Sequence, residues 1–202
     1  MTMLGAGAHR MTTTLRAKIR KLCHDRRGVA AIEFAFIAPI LMIMYFVTME
    51  AADAIETSKK VSRLSSMVGD LIAQQSEVNP AALDAITAIA KSTLQPYNRS
   101  EPTIVVTAIQ MSTDATPKAQ VFWSYGPGAE GKGKTTTVPA SLKTKSAFLI
   151  RVTSTLSYRP FLTWAAGGKQ AVGLTRVFDN ITMSETYYLR PRVTSTITCP
   201  TC

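Results

Sequence analysis

The chain has 202 residues, which is enough for one membrane anchor and one domain of ordinary size. Its formal net charge of +10 would suggest a nucleic-acid partner if the basic residues formed a stripe with aromatic residues between them. Instead, residues 1–28 alone hold seven basic side chains against one acidic side chain. We therefore predict no nucleic-acid partner, and interpret the charge as a determinant of membrane topology.

The basic leader contains one short amphipathic pattern. From Leu15 to Cys23, Leu15, Ile19 and Leu22 recur at helical spacing with basic side chains between them. Such a segment suits a helix lying on the inner leaflet of the membrane. An unstructured charged leader is equally compatible with the same residues, and the sequence does not separate these two possibilities.

The segment Val29–Met49 is an apolar run with one charge, Glu33, and one proline, Pro39. As a helix it would be about 31 Å long, which matches a bilayer core of about 30 Å. Basic residues precede the run and acidic residues follow it, so the N-terminus should stay in the cytoplasm. We predict a cytoplasmic leader (residues 1–28), a transmembrane helix (29–49) and a periplasmic domain (50–202).

A cleaved secretory signal peptide is the less suitable interpretation of this run. Signal peptides have an apolar core of about 7–15 residues. The run here is longer, and it contains both Glu33 and Pro39. We therefore expect a single-pass anchor in the inner membrane.

Two residues inside the run need an explanation. A carboxylate in a spanning segment costs about 2.5–3.5 kcal/mol at mid-bilayer, so Glu33 is by default a functional residue. Glu33 lies near the cytoplasmic end of the run, where a carboxylate costs less. This position is equally compatible with a charge that the membrane edge tolerates and that has no function. Pro39 removes a helix donor and frees the carbonyl of Ala35, which favours a kink. Such a kink suits a helix packed among others, but a lone anchor also tolerates it.

The start of the run resembles a known processing site. Gly28 follows a basic leader, and Glu33 and the aromatic Phe34 stand at the head of the apolar helix, as in type IV prepilins. The run from Gly28 to Pro39 (GVAAIEFAFIAP) is more narrowly similar to the TadE/TadG-like pilus assembly family. These are pseudopilin-like proteins of tight-adherence pilus systems.

Further residues support the narrower resemblance. Ala38-Pro39 lies inside the helix, and the acidic Glu50 stands at its far end. The resemblance covers about residues 26–50, with a weaker echo near residues 187–192. The middle of the chain carries no recognisable motif.

The resemblance implies both a function and a set of partners. A prepilin peptidase would cut after Gly28 and leave Val29 as the new N-terminus. Glu33, beside Phe34, would then pair with the free amine of a neighbouring subunit. The implied protein is a minor component or assembly factor of a tight-adherence type IV pilus. Its partners would be the peptidase, other pilin-like subunits, the pilus assembly platform and the inner membrane. The alternative is an uncleaved single-pass protein with a periplasmic binding or sensing domain.

Beyond the span, the pattern predicts two helices. The first continues the transmembrane helix, with an apolar stripe at 3–4 spacing that faces its own domain, neighbouring subunits, or both. Asn79-Pro80 is typical of an N-cap followed by a first helical residue, and Pro96 follows the expected end near Leu94. The residues predicted to face inward are Val61, Leu64, Val68, Leu71 and Ile72 in the first helix, and Leu83, Ile86, Ile89 and Ala90 in the second.

Four segments then carry strand patterns: Thr103–Met111, Ala119–Tyr125, Ser146–Tyr158 and Ile181–Leu189. Period-2 alternation predicts antiparallel strands with one buried and one wet face. Helices followed by strands indicate an α+β fold with helices packed on an antiparallel sheet, which is also the pilin-like plan that the resemblance implies. The predicted buried rows are Val121, Trp123 and Tyr125; Phe148, Ile150, Val152, Leu156 and Tyr158; and Ile181, Met183, Tyr187 and Leu189.

No enzyme is predicted. Residues 128–135 (GAEGKGKT) fit the phosphate-loop pattern, but Thr136-Thr137-Val138-Pro139 follows where a helix is required. We interpret Gly126–Lys134 as a flexible, solvated loop. Both histidines, His9 and His24, lie in the leader, so no nucleophile–histidine pair is available to the domain. We predict no cofactor, no metal and no small-molecule substrate.

The three cysteines divide into two groups. Cys23 lies in the leader and would be lost on cleavage. Cys199 and Cys202 form Cys-Pro-Thr-Cys near the C-terminus, where an oxidising periplasm favours a disulfide between them. A redox pair would need a helix N-terminus in a βαβ context, and a zinc site would need two further ligands.

Overall fold

A computed structural model describes residues 28–161 and 181–202 of the chain. The predicted leader helix Leu15–Cys23, the two histidines and Cys23 lie outside the described residues. The chain divides into two compact units, Met1–Met49 and Glu50–Cys202.

The first helix, α1, runs without interruption from Val29 to Ala73. Within Val29–Met49 the large apolar side chains are exposed, with Phe34 at 67%. This part of the helix is long and apolar enough to cross a membrane by length and composition. An anchor at this place is therefore consistent with the structure.

From Glu50 onward, the same helix has a fully buried face. Val61, Leu64, Val68 and Ile72 are inaccessible to solvent, whereas Leu71 is half-buried. Their 3–4 spacing places them in one row along the helix, and they share one hydrophobic core with residues of the sheet. The predicted stripe therefore packs on its own domain.

The second helix, α2, runs from Pro80 to Lys91, and a 3₁₀ turn, Ser92–Leu94, follows it. The predicted N-cap is confirmed, since the side chain of Asn79 accepts a hydrogen bond of 2.8 Å from the N–H of Ala82. The predicted burial of Ile89 is wrong, because this residue is 60% exposed. Ile89 lies about 100° around the helix from its neighbour Ala90, outside the narrow face that α2 turns to the core.

The sheet has four antiparallel strands in the order β2-β1-β3-β4. This confirms the α+β prediction. The third strand begins two residues later than predicted, because Ser146 has a φ of 57° and Ala147 donates to Thr144 in a turn. The strands are β1 (Thr103–Met111), β2 (Ala119–Tyr125), β3 (Phe148–Tyr158) and β4 (Ile181–Leu189).

The face of the sheet that meets the helices follows the predicted alternation in β3, where Phe148, Ile150, Val152, Leu156 and Tyr158 are all buried. The edge strand β4 departs from its prediction. Ile181 and Met183 are only partly buried, and Tyr187 is exposed. An edge strand has a neighbour on one side only, so its inward side chains are covered less completely.

The alternation predicted that the opposite face of the sheet would be exposed to water throughout. The structure shows that part of this face is buried. At one end it carries a second small core of buried apolar residues. Further along β3 and β4, hydroxyl side chains pair across the strands, with Thr153 beside Thr186 and Thr155 beside Ser184. The uninterrupted burial along part of β1 results from this double covering. The second core consists of Ile109, Met111, Ala119, Val138 and Leu149.

Most of the segment Gly126–Lys134 is exposed, as predicted. It is not a free loop, however, because half-buried Glu130 pairs with Arg151 at 2.7 Å and the end of the segment is hydrogen-bonded to β2. Val121 donates to the carbonyl of Lys134 at 2.9 Å, and Gly133 donates to the carbonyl of Val121 at 2.8 Å. Gly126 has a φ of +115°, and a Cβ there would clash with the carbonyl oxygen of Ile104. The chain after this segment pairs with a strand instead of beginning a helix, so the phosphate-loop pattern has no phosphate-loop structure.

The C-terminal segment is attached to the domain through its backbone. The indole N–H of Trp123 donates to the carbonyl of Ile197 at 2.7 Å in the buried core. Arg192 donates to the carbonyl of Ala73 at 2.9 Å, where α1 ends. Cys199 and Cys202 form a disulfide with their Cα atoms 5.4 Å apart.

Candidate functional site

Gly28 and Val29, the predicted processing residues, lie at the start of α1, and both are exposed. A Cβ built on Gly28 would meet no heavy atom within 4 Å. The fold of the described residues therefore does not require a glycine at this position.

Glu33 and Phe34, the predicted pairing residues, are also exposed on α1. Within residues 28–161 and 181–202, Glu33 makes no ion pair with another side chain. Its carboxylate is accessible to a cation from another molecule. Pro39 lies inside α1, which continues through it as a helix.

Glu50, the acidic residue that follows the apolar run, is buried in a polar cluster and only 5% exposed. The hydroxyl of Tyr158 donates to its Oε1 at 2.6 Å. The backbone N–H of Phe161 donates to both carboxylate oxygens at 3.0 Å. Nη1 of Arg99 lies 3.6 Å from Oε1. We call Glu50, Arg99, Tyr158 and Phe161 the Glu50 cluster.

Arg99 supplies the positive charge of the cluster, and its side chain is 12% exposed. It donates to the carbonyl of Arg159 at 2.9 Å and to Asp53 Oδ2 at 3.2 Å. Its guanidinium carbon also lies 5.0, 5.7 and 5.8 Å from the ring centres of Tyr97, Tyr158 and Phe161. Those distances are typical of cation–π contacts.

These contacts explain how a carboxylate can be buried here. An unpaired buried charge is costly, but Glu50 has two hydrogen-bond donors and a neighbouring cation. Burial, together with the hydrogen bond to Glu50, raises the pKa of Tyr158 above its ordinary value of 10.0. Tyr158 therefore stays protonated and acts as a donor. The arrangement favours a structural role for the cluster, since every one of its charges is already paired.

Sequence reasoning identified Glu50 only as the acid at the far end of the helix. Its donors Tyr158 and Phe161 follow it by 108 and 111 residues, so no local pattern joins them. The alternation of β3 placed Tyr158 in the core, and this was the one available signal. It did not indicate what the hydroxyl would bind.

The domain also has an open polar groove of about 600 Å³ between α2 and the end of β2. The hydroxyl of Tyr125 donates to Asp84 Oδ1 at 2.7 Å at its edge, and this hydrogen bond raises the pKa of Tyr125. Lys91 contributes a cation to the lining. In the described part of the chain, no group of three or more His, Cys, Asp or Glu side chains is arranged to hold a metal.

Comparison with protein families gives a match at the start of α1. Residues 28–65 match the model of the family described as TadE-like protein. The match begins at Gly28 and includes Glu33, Pro39 and Glu50, so it confirms the resemblance to TadE/TadG-like pilus proteins over this stretch. Neither the curated proteins nor the solved structures give a match to the chain.

We expect Tyr158→Phe to lower the free energy of unfolding by about 1–3 kcal/mol at neutral pH, because a hydrogen bond to a buried charge is lost. The difference should depend on pH. The pKa of Tyr158 is higher in the folded state than in the unfolded state, so the unfolded state ionises first as the pH rises. The stabilisation by the Tyr158 hydroxyl is therefore complete below pH 10 and is lost as the pH rises further. Denaturant unfolding of the full chain in detergent, at neutral pH and above pH 10, measures both effects.

Tyr187→Phe is the matched control, since Tyr187 is exposed on the edge strand. Its effect should stay within about 0.5 kcal/mol at neutral pH. Equal stability of Tyr158→Phe and Tyr187→Phe would contradict the assigned role of the Glu50 cluster.

Proposed function

We propose that the protein is a pseudopilin-like minor component or assembly factor of a tight-adherence pilus. Residues 29–49 would anchor it in the bacterial inner membrane, with residues 1–28 in the cytoplasm and residues 50–202 in the periplasm. The observation that carries this proposal is the TadE-like match over residues 28–65, which begins at Gly28. Proteins of this pilus family are structural or assembly components, and the match supports a non-enzymatic role for this chain.

The proposed processing step is cleavage by a prepilin peptidase after Gly28. A peptidase must bring its catalytic groups against the scissile backbone, and a residue without Cβ permits that approach. The open surroundings of Gly28 support this step, because the described chain offers no other reason for glycine there. Cleavage would leave Val29 with a free amine, which is mostly protonated at neutral pH.

The proposed assembly step uses Glu33. In a membrane, the new amine of one subunit and the Glu33 carboxylate of its neighbour would form an ion pair. A low dielectric strengthens that attraction, and leaving either charge alone in lipid is costly. The exposure of Glu33 and Phe34 supports contact with a neighbouring pilin-like subunit. Further partners would be the peptidase and the pilus assembly platform.

The rival function is an uncleaved, membrane-tethered binding or sensing domain. The polar groove beside Lys91 and Tyr125 is the feature that this rival would use. The mass of the membrane-inserted protein separates the two functions. Processing removes residues 1–28, whereas a tether keeps them.

We expect Gly28→Val to insert into the membrane but to remain unprocessed, since the apolar run is unchanged. Mass spectrometry of the protein extracted from membranes measures this directly. Ala35→Val is the matched control, because it adds the same β-branch to the same exposed helix beyond the cleavage site. It should be trimmed like the wild type. If wild-type protein in cells with an active pilus system keeps residues 1–28, the processing step is wrong.

We expect Glu33→Gln to insert and to be cleaved, but to lose association with other pilin-like subunits. Co-purification of those subunits from detergent extracts is the measurement. Glu56→Gln removes one acidic charge from the exposed side of the same helix, where Glu56 pairs with Lys60 at 2.8 Å, and should leave association unchanged. Normal association and piliation in Glu33→Gln would reduce Glu33 to a tolerated edge charge.

A further inference from the structure

The periplasmic unit carries an exposed aromatic side chain beside its first residue. Phe161 is 49% exposed, although its backbone N–H is held 3.0 Å from the carboxylate of Glu50. Glu50 follows Met49, the last residue of the apolar run, in the chain. The covalent connection and the hydrogen bond together fix Phe161 close to the point where the chain leaves the proposed membrane span.

The depth of that point follows from helix and bilayer dimensions. The polar headgroup layer adds about 5–8 Å on each side of the hydrocarbon core. Glu50 lies about one helical rise, 1.5 Å, beyond Met49. Phe161, within hydrogen-bonding distance of Glu50, therefore falls in the headgroup layer when the span is inserted.

The chemistry around Phe161 suits this layer. Aromatic side chains are enriched at the boundary between hydrocarbon and water. Arg159 is exposed two residues away and can attract lipid phosphates. The carboxylate of Glu50, which phosphates would repel, is buried under the N–H of Phe161 and beside Arg99. Asp53, whose side chain is 40% exposed here, is paired with Arg99 at 3.2 Å. Arg159 adds an exposed basic side chain two residues from Phe161.

We propose that Phe161 and Arg159 form a contact surface for phospholipid headgroups on the periplasmic leaflet of the inner membrane. The phenyl ring enters the boundary between acyl chains and headgroups, and the guanidinium of Arg159 binds lipid phosphate. This contact holds the domain against the membrane surface. It rests on the membrane insertion of residues 29–49, which is part of the proposed function, but not on cleavage after Gly28 or on pairing through Glu33.

The test uses the full chain in phospholipid vesicles, with Cys23→Ser to remove the leader thiol. Single cysteines at Phe46, Phe161 and Val193 carry an environment-sensitive nitrobenzoxadiazole label, while Cys199 and Cys202 are protected as a disulfide. Lipids with nitroxides at the headgroup or on the acyl chain quench the label according to its depth.

Val193 is the matched control for Phe161, since it is an apolar residue and 65% exposed. It follows Arg192, whose backbone N–H donates a hydrogen bond to the carbonyl of Ala73. Ala73 is the last residue of α1, and Glu50 begins the part of α1 that belongs to the domain. The two ends of that segment are about 34 Å apart. We expect acyl-chain nitroxides to quench the label at Phe46, headgroup nitroxides to quench the label at Phe161, and neither to quench the label at Val193.

Two results would count against the proposal in distinguishable ways. Quenching at Phe46 together with an unquenched Phe161 label would overturn the lipid contact and leave the anchor intact. An unquenched Phe46 label would overturn the anchor, and the lipid contact with it. Arg159→Cys keeps the Phe161 ring, which lies over Arg99, and provides a second labelling position. The label there should also be quenched by headgroup nitroxides.

Discussion

The exposed apolar surface of residues 29–49 is the constraint on which the rest of the molecule depends. Burying apolar surface stabilises by about 25 cal/mol per Å², and monomeric soluble proteins rarely leave a continuous apolar patch uncovered. Phe34 and its neighbours must therefore be covered by lipid or by other helices. The domain covers its own part of α1 from Glu50 onward, where Val61, Leu64, Val68 and Ile72 are fully buried. One helix thus combines an exposed apolar segment with a segment that is buried in a folded domain.

The Glu50 cluster lies where these two environments meet along the chain. A carboxylate at this position would be unfavourable if it faced lipid, and the domain supplies donors from Tyr158 and Phe161 and a cation from Arg99. The TadE-like match includes Glu50 but ends at residue 65, before any of these three partners. The cluster therefore belongs to the domain of this chain as much as to the matched segment. It also fixes Phe161 and Arg159 beside the first residue after the apolar run.

The sequence predicted most of the fold because its signals are local. Richness in Ile, Val and Thr placed β1 at its observed bounds, and alternation did so for β2 and β4. Asn79-Pro80 identified the start of α2. The failures concern long-range packing. Ile89 and Tyr187 were expected inside, but the contact face of α2 is narrow and β4 is an edge strand. The second small core and the partners of Glu50 also depend on residues far apart in the chain.

The residues proposed for processing and pairing were selected by a family resemblance and not by a packing pattern. Gly28 and Glu33 are exposed on α1. The roles proposed for them involve other molecules, namely a peptidase and a neighbouring subunit. The family pattern identified them from type and spacing alone. Packing arguments could not have found them, because no contact among residues 28–161 and 181–202 requires a glycine at 28, and Glu33 forms no ion pair there.

The central claim is that residues 29–49 cross the inner membrane with the C-terminal unit in the periplasm. Alkaline phosphatase fused after Cys202 tests it most directly, because that enzyme needs disulfides and becomes active only in an oxidising compartment. We predict full phosphatase activity for the fusion and its loss when residues 29–49 are deleted. An inactive phosphatase, together with activity of a cytoplasm-specific reporter fused at the same position, would contradict the account.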